Sequence, residues 1–239
     1  MRHGQSAGNV ARDAAEAASL PWIDIATRDM DTPLSTLGEQ QSYALATWFA
    51  SLPVSQQPTI VLSSPYVRAR QTAEIVAKGL ADSRELVLDE RLREKEFGIL
   101  DRLTKFGIRE KYPELAEQRS HVGKFYFRPP GGESWCDVIL RLRNVVDTLT
   151  RDYRDERVLI VAHQVIVNCF RYLLEKLDEQ QILEIDRQLD VPNCSVTSYE
   201  RSGDEHVALS LRLTNFTAPV VETGTPVTAE PDQPAAKGA

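Results

Sequence analysis

Apolar residues recur along the chain in two rhythms. Leu37, Leu45, Trp48, Phe49 and Leu52 mark one face at helical spacing, and Ser35 just before them carries a capping hydroxyl. A helix is expected over 35–52. A longer face runs through Trp135, Val138, Ile139, Leu142, Val146, Leu149 and Tyr153. It follows Ser134, whose spacing to Asp137 fits a reciprocal capping box. Val167, Phe170, Leu173 and Leu174 predict a helix after His163, and Ser63-Ser64-Pro65 predicts another as far as Gly79, with proline in its first turn. Between these lie short β-branched runs. Residues 59–62, 85–88 and 157–162 read as buried strands, and 193–200 with 206–213 as a strand pair turning at Ser202-Gly203-Asp204.

Strands alternating with helices imply an α/β fold, a three-layer sandwich with a mostly parallel central sheet flanked by helices. Residues 1–216 are expected to form one domain. Within it, 7–33 read as a loop or short helix. Residues 89–133 lack a long periodic segment and are rich in Gly and Pro, so 101–132 is expected to be a lid or binding insertion. From 217 to 239 the chain is Pro-, Ala-, Thr- and Gly-rich without period, and a disordered tail is expected. In such folds ligands sit beyond the carboxyl ends of the strands. His163 follows one such end and Ser63-Ser64 another. His3 would follow a third if a strand preceded it.

The net charge of −7 argues against non-specific nucleic-acid binding. The lid runs against that balance, with seven Lys or Arg from Arg102 to Arg128 against three Glu. No apolar run approaches the roughly 18 residues of a membrane span, and no signal peptide is visible. Cys136, Cys169 and Cys194 are far apart and form no CxxC pair. They are expected to be free thiols in a reducing, cytoplasmic setting, with no metal site and no cofactor.

The chain opens Met1-Arg2-His3-Gly4-Gln5-Ser6. An Arg-His-Gly triplet followed by small polar residues can build a phosphate-accepting histidine, but a short motif recurs by chance. Three more segments strengthen it. Ser64-Pro65-Tyr66-Val67-Arg68-Ala69-Arg70 carries an arginine at the end of a strand, Leu92-Arg93-Glu94-Lys95-Glu96-Phe97-Gly98 a carboxylate, and Val161-Ala162-His163 a second histidine. In this order and spacing the four resemble the motifs of the histidine phosphatase (phosphoglycerate mutase-like) superfamily over about residues 2–200. Pro33-Leu34-Ser35 through Gly38 and Gln41, and Gly131-Gly132-Glu133-Ser134, are secondary matches.

The resemblance implies a phosphatase that hydrolyses phosphate monoesters through a phosphohistidine on His3. Arg2, Arg68 and His163 would hold the phosphoryl group, and Glu94 would act as acid and then base. Asn9, Gln164 and Arg119 are candidate substrate-binding residues, with Lys105 and Lys124 further candidates for a distal charge. The expected partner is a small phosphorylated molecule such as a sugar phosphate. A mutase that returns the phosphoryl group, or a non-catalytic phosphate-binding module, stays as an alternative. The arginine pair of the family's mutases is not found here. Gln164 and the 111–119 stretch resemble the fructose bisphosphatase branch, yet Asn168 stands where that branch has an arginine and Lys105 where it has a tyrosine. The family also places an apolar strand before the triplet, where this chain has only Met1. A first strand is therefore expected to be missing, through a start codon assigned too late.

Overall fold

The computed structural model describes residues 1–80, 85–201 and 209–230. Three short strands, β1 (Ile60–Ser63), β2 (Leu86–Leu88) and β3 (Val158–Val161), pair in parallel in the order β2-β1-β3. Their register aligns Ser63 with both Leu88 and Val161, so the carboxyl ends finish together. Residues 1–3 run beside β3. The Met1 amine donates to Ile160 O (2.7 Å), Ala162 N to Met1 O (2.9 Å) and His3 N to Ala162 O (2.9 Å). On their other side Arg2 N donates to Ser195 O and Cys194 N to His3 O, both at 3.2 Å. This delivers His3 to the same end of the sheet as Ser64 and His163. The antiparallel pair β4 (Val196–Arg201) and β5 (Leu209–Phe216) follows; β4 starts three residues later than expected, and 206–208 lie outside the described residues. The turn at 202–204 lies outside the described residues.

Helices cover both faces because the strands are apolar on both. Val61, Leu159 and Val161 face a core built with α2 (Thr36–Ser51), α3 (Val67–Gly79) and Val220. Ile60, Leu62 and Ala162 face the other core, with α6 (Trp135–Asp152), α7 (Gln164–Leu174) and α8 (Glu179–Gln188). Burial on both sides is what continuous Val/Ile/Leu runs require. The Ser35 cap on Gly38 N (3.0 Å) and the Ser134–Asp137 capping box form as expected.

Residues 7–17 form a helix, α1 (Ala7–Ala17), capped by Ser6 and Asn9, the second of the two forms expected there. Three expectations need correction. Pro65 lies before α3 rather than in its first turn. The 89–133 region is not a loop. It contains α4 (Lys105–Lys111) and α5 (Pro113–Val122), closed over a small cluster of Leu100, Leu103 and Phe127. These helices are too short to show a period. The tail is ordered from 217 to 230. It forms α9 (Ala218–Glu222), buries Val220 and runs back across the molecule, while 231–239 lie outside the described residues. α8 carried a capping-box signal, Asp178 with Gln181, that the sequence reading did not use.

Candidate active site

His3 is buried and fixed by its backbone. Its Nδ1 meets Gly4 O at 2.6 Å, and a carbonyl can only accept, so Nδ1 carries the proton and Nε2 holds the lone pair. Arg68 Nε donates to that Nε2 at 3.3 Å. The peptide that creates this turn is held on three sides. Gly4 N donates to Thr72 Oγ1 (3.1 Å), Gln5 N to Gln41 Oε1 (2.9 Å), and Asn193 Nδ2 to His3 O (3.1 Å). A Cβ on Gly4 would sit 2.4 Å from Gly38 O, and one on Gly38 1.9 Å from Gln5 O. The two glycines let the His3 turn lie directly on the start of α2.

His163 caps α7 and faces His3 edge-on, with ring centroids 5.1 Å apart. Its Nε2 lies 2.8 Å from Ser64 Oγ, and its buried Nδ1 has no partner among the described residues. Burial, with Arg68 and Arg2 nearby, drives both imidazoles well below the usual histidine range, so both are neutral at physiological pH.

Arg68 leaves the first turn of α3, directly after β1. Its Nη1 donates to Asp29 O (2.6 Å) and its Nη2 to Asp29 Oδ2 (3.1 Å). Arg2 is almost wholly buried. Its Nη1 donates to Gln164 Oε1 (3.1 Å) and Val191 O (2.6 Å), its Nη2 lies 3.3 Å from Glu230, and its Nε has no partner among the described residues.

Glu94 lies close enough to Arg68 and Arg2 to feel both charges. Burial pushes its carboxyl up to about 7, against the pull of the Lys95 backbone N–H (2.8 Å from Oε1) and Arg68. Arg141 from α6 donates to Glu94 O (3.2 Å) and to both oxygens of Glu133, which also accepts from Glu96 N. The Gly-Glu-Ser turn therefore fixes the backbone that carries Glu94. A hydrogen-bonded, near-neutral carboxyl beside two neutral imidazoles and two guanidiniums is suited to moving one proton next to a tetrahedral anion.

The structure thus brings Arg2, His3, Arg68, Glu94 and His163 together, with Gln164 on Arg2. Asn9 is used differently. Its Oδ1 accepts from Ser6 N (2.7 Å) and Ser6 Oγ (2.9 Å), closing the cap of α1. Arg119 is an exposed side chain on α5, near enough to Lys95 for its charge to be felt there. Lys124 is ion-paired with Asp186, which also accepts from Asn168, so its charge is largely committed. Lys105 opens α4. The sequence reading missed Asp29, Ser64 as the His163 partner, Lys95, Asn193 and Glu230. Lys95 could have been found from its place beside Glu94. It is nine-tenths buried, lies 4.5 Å from the Phe97 ring, and burial lowers its ammonium to about 8. Ser64 stood at a strand end that the sequence already marked, whereas Asp29 and Glu230 come from distant segments and carry no local signal.

An α/β sheet whose strand ends gather two histidines, two arginines and a carboxyl defines an anion-handling site of the phosphoryl-transfer kind. The chain belongs to the histidine phosphatase superfamily (branch 1), whose description matches residues 1–214. It is 29% identical over 214 residues to a phosphoglycerate mutase-like protein of Arabidopsis thaliana, covering 81% of this chain and 70% of that one. It is 30% identical over 213 residues to a 2,3-bisphosphoglycerate-dependent phosphoglycerate mutase of Allorhizobium ampelinum, covering 87% and 91%. Over 140 residues it is 35% identical to a 6-phosphofructo-2-kinase/fructose-2,6-bisphosphatase of Caenorhabditis elegans, but spans only 28% of that protein. Among solved structures, a mycobacterial glucosyl-3-phosphoglycerate phosphatase in complex with VO3 superposes with a TM-score of 0.68 at 26% identity, covering 90% and 96%. The alpha-ribazole phosphatase from Shigella flexneri, at 19% identity and a TM-score of 0.71 over 91% and 95%, shares the fold.

Proposed function

We propose that the protein hydrolyses phosphate monoesters through a phosphohistidine on His3. The observation that carries this reading is the tautomer of His3, with the proton locked on Nδ1 against Gly4 O and the Nε2 lone pair beside Arg68. Nε2 attacks phosphorus as the ester P–O bond breaks, and the Glu94 proton passes to the leaving oxygen. A water then attacks phosphorus, Glu94 takes its proton, the P–N bond breaks and inorganic phosphate leaves. Arg68 shifts its Nε hydrogen bond from His3 to a phosphoryl oxygen, while Arg2 Nε and His163 Nδ1 supply donors that have no partner among the described residues. Losing one such donor typically costs about 2.7–4 kcal/mol of barrier. The scheme asks for no metal, since these groups meet the charge developing at phosphorus.

A glucosyl-phosphoglycerate phosphatase and bisphosphatases among the relatives favour a small sugar phosphate or sugar-acid phosphate as substrate. No described helix is long and apolar enough to cross a membrane. Three unpaired cysteines fit a reducing, cytoplasmic setting. The mutase relative keeps a second reading in view, return of the phosphoryl group to a sugar acid. Both are tested together by measuring inorganic phosphate and isomerised product from a panel of sugar phosphates and p-nitrophenyl phosphate, with His3→Ala alongside. The expected result is phosphate release that falls by about 10⁴-fold or more in His3→Ala. Unchanged release in that variant would end the phosphohistidine scheme, and isomer without net phosphate would select the mutase.

A further inference from the structure

Beyond α9 the chain crosses back to the site and leaves a carboxylate on the Arg2 guanidinium. Gln41 Nε2 donates to Pro226 O (2.8 Å) and to Thr228 Oγ1 (3.0 Å). Asn193 N donates to Thr228 O (2.8 Å), and Thr228 Oγ1 returns a bond to Asn193 Oδ1 (3.0 Å). Gln41 and Asn193 are two of the three side chains that hold the His3 turn. Two residues on, Glu230 lies 3.3 Å from Arg2 Nη2 and 3.6 Å from Arg12 Nη1. Its side chain is only 13% exposed, and its Oε1 is buried without a partner among the described residues.

We propose that residues 223–230 are an autoinhibitory strap, with Glu230 acting as an internal anion that competes with phosphate for Arg2. The inference rests on the reading that Arg2 binds the phosphoryl group. A buried guanidinium needs a counter-charge, and Glu230 supplies one negative charge where a phosphoryl group brings nearly two. The seat holds Glu230 only moderately. Arg2 and Arg12 attract it, while Asp13 on α1 lies close enough to oppose it, its carboxyl pushed up first by burial and then by the Glu230 charge. The strap itself packs through two polar anchors and no large buried side chain after Val220. Its release therefore costs little beyond those hydrogen bonds. A dianionic substrate displaces Glu230, the hydrogen bonds between Thr228 and Asn193 open, and the mouth of the site clears.

The test compares the native chain with Glu230→Gln, which keeps shape and removes charge, and with Arg12→Gln, which loosens the seat from outside the phosphoryl-binding set. Inorganic phosphate binding is measured by calorimetry, kcat/KM on p-nitrophenyl phosphate, and hydrogen exchange at the Asn193 amide. Glu230→Gln is expected to bind phosphate about fivefold tighter and to raise kcat/KM by a similar factor, since the competing occupant reduces the competent fraction. Arg12→Gln should move both in the same direction by less. In the native chain, phosphate should speed exchange at Asn193, whose acceptor Thr228 leaves. Equal phosphate affinity in native and Glu230→Gln chains, with Asn193 exchange unmoved, would overturn the strap even if hydrolysis is robust. Tighter phosphate binding in Glu230→Gln without turnover in any variant would uphold the strap and remove the hydrolytic reading instead.

Discussion

Glu94 is a residue whose surroundings move it far from its chemistry in water. Burial raises its carboxyl to about 7, so near neutral pH it is a mixture of acid and base, which a two-step transfer needs. Glu94→Gln should lower kcat on an alkyl phosphate by about 10²–10⁴-fold, and on p-nitrophenyl phosphate by less, because that leaving group needs no proton. The native rate on alkyl esters should fall as pH rises past about 7, where the acid is lost. Stability follows the same sign. The folded carboxyl titrates above its unfolded value of 4.5, so its contribution is intact below that value and is lost as pH rises towards 7. Glu94→Gln should therefore gain on the native protein between those values, by on the order of 2 kcal/mol at pH 8 once partial exposure is allowed for. Chemical denaturation at pH 4 and pH 8 reads this directly, and an equal difference at both would refute it.

At the scale of elements, the site is made by contacts between a loop and a helix start. Gly38 in the first turn of α2 touches the Gln5 backbone, and Gly4 touches Gly38. Gly38→Ala would place a methyl 1.9 Å from Gln5 O, and neither backbone can yield without moving His3. The expected cost is about 1–3 kcal/mol, seen as a lower thermal midpoint together with a lower kcat. A variant as stable and active as the native chain would show that the His3 turn does not depend on this contact. The sheet works similarly. Its parallel register sets Ser63, Leu88 and Val161 level, and Ser64 and His163 then meet across the strand ends.

For the whole molecule, we propose that specificity lies in the 101–132 segment. α4 and α5 close on Leu100, Leu103 and Phe127, and Thr104 anchors them to Pro21 and Leu20. Arg119 projects from this cap towards the region of Lys95. Arg119→Ala should raise KM for a bis-anionic sugar phosphate by about tenfold while leaving KM for p-nitrophenyl phosphate nearly unchanged, as expected for one charge-assisted contact. A matching rise for both substrates would place Arg119 outside the substrate's reach.

The sequence by itself determined the sheet, the long helices and the five clustered side chains. Strand runs such as 157–162 and faces such as 135–153 are signals of local period, and the motifs sit next to strand ends that the period locates. What lacked a period was not legible. α4 and α5 are too short for one. Only the tertiary structure decided what neutralises the arginines, because Asp29 and Glu230 reach Arg68 and Arg2 from segments with no pattern of their own. The same holds for the tail, which reads as unstructured by composition yet is ordered through 230 by backbone hydrogen bonds to Gln41 and Asn193. Period reports how an element buries its own face. A hydrogen bond or ion pair between remote segments depends on where the chain has already been carried, and nothing in a local window records that.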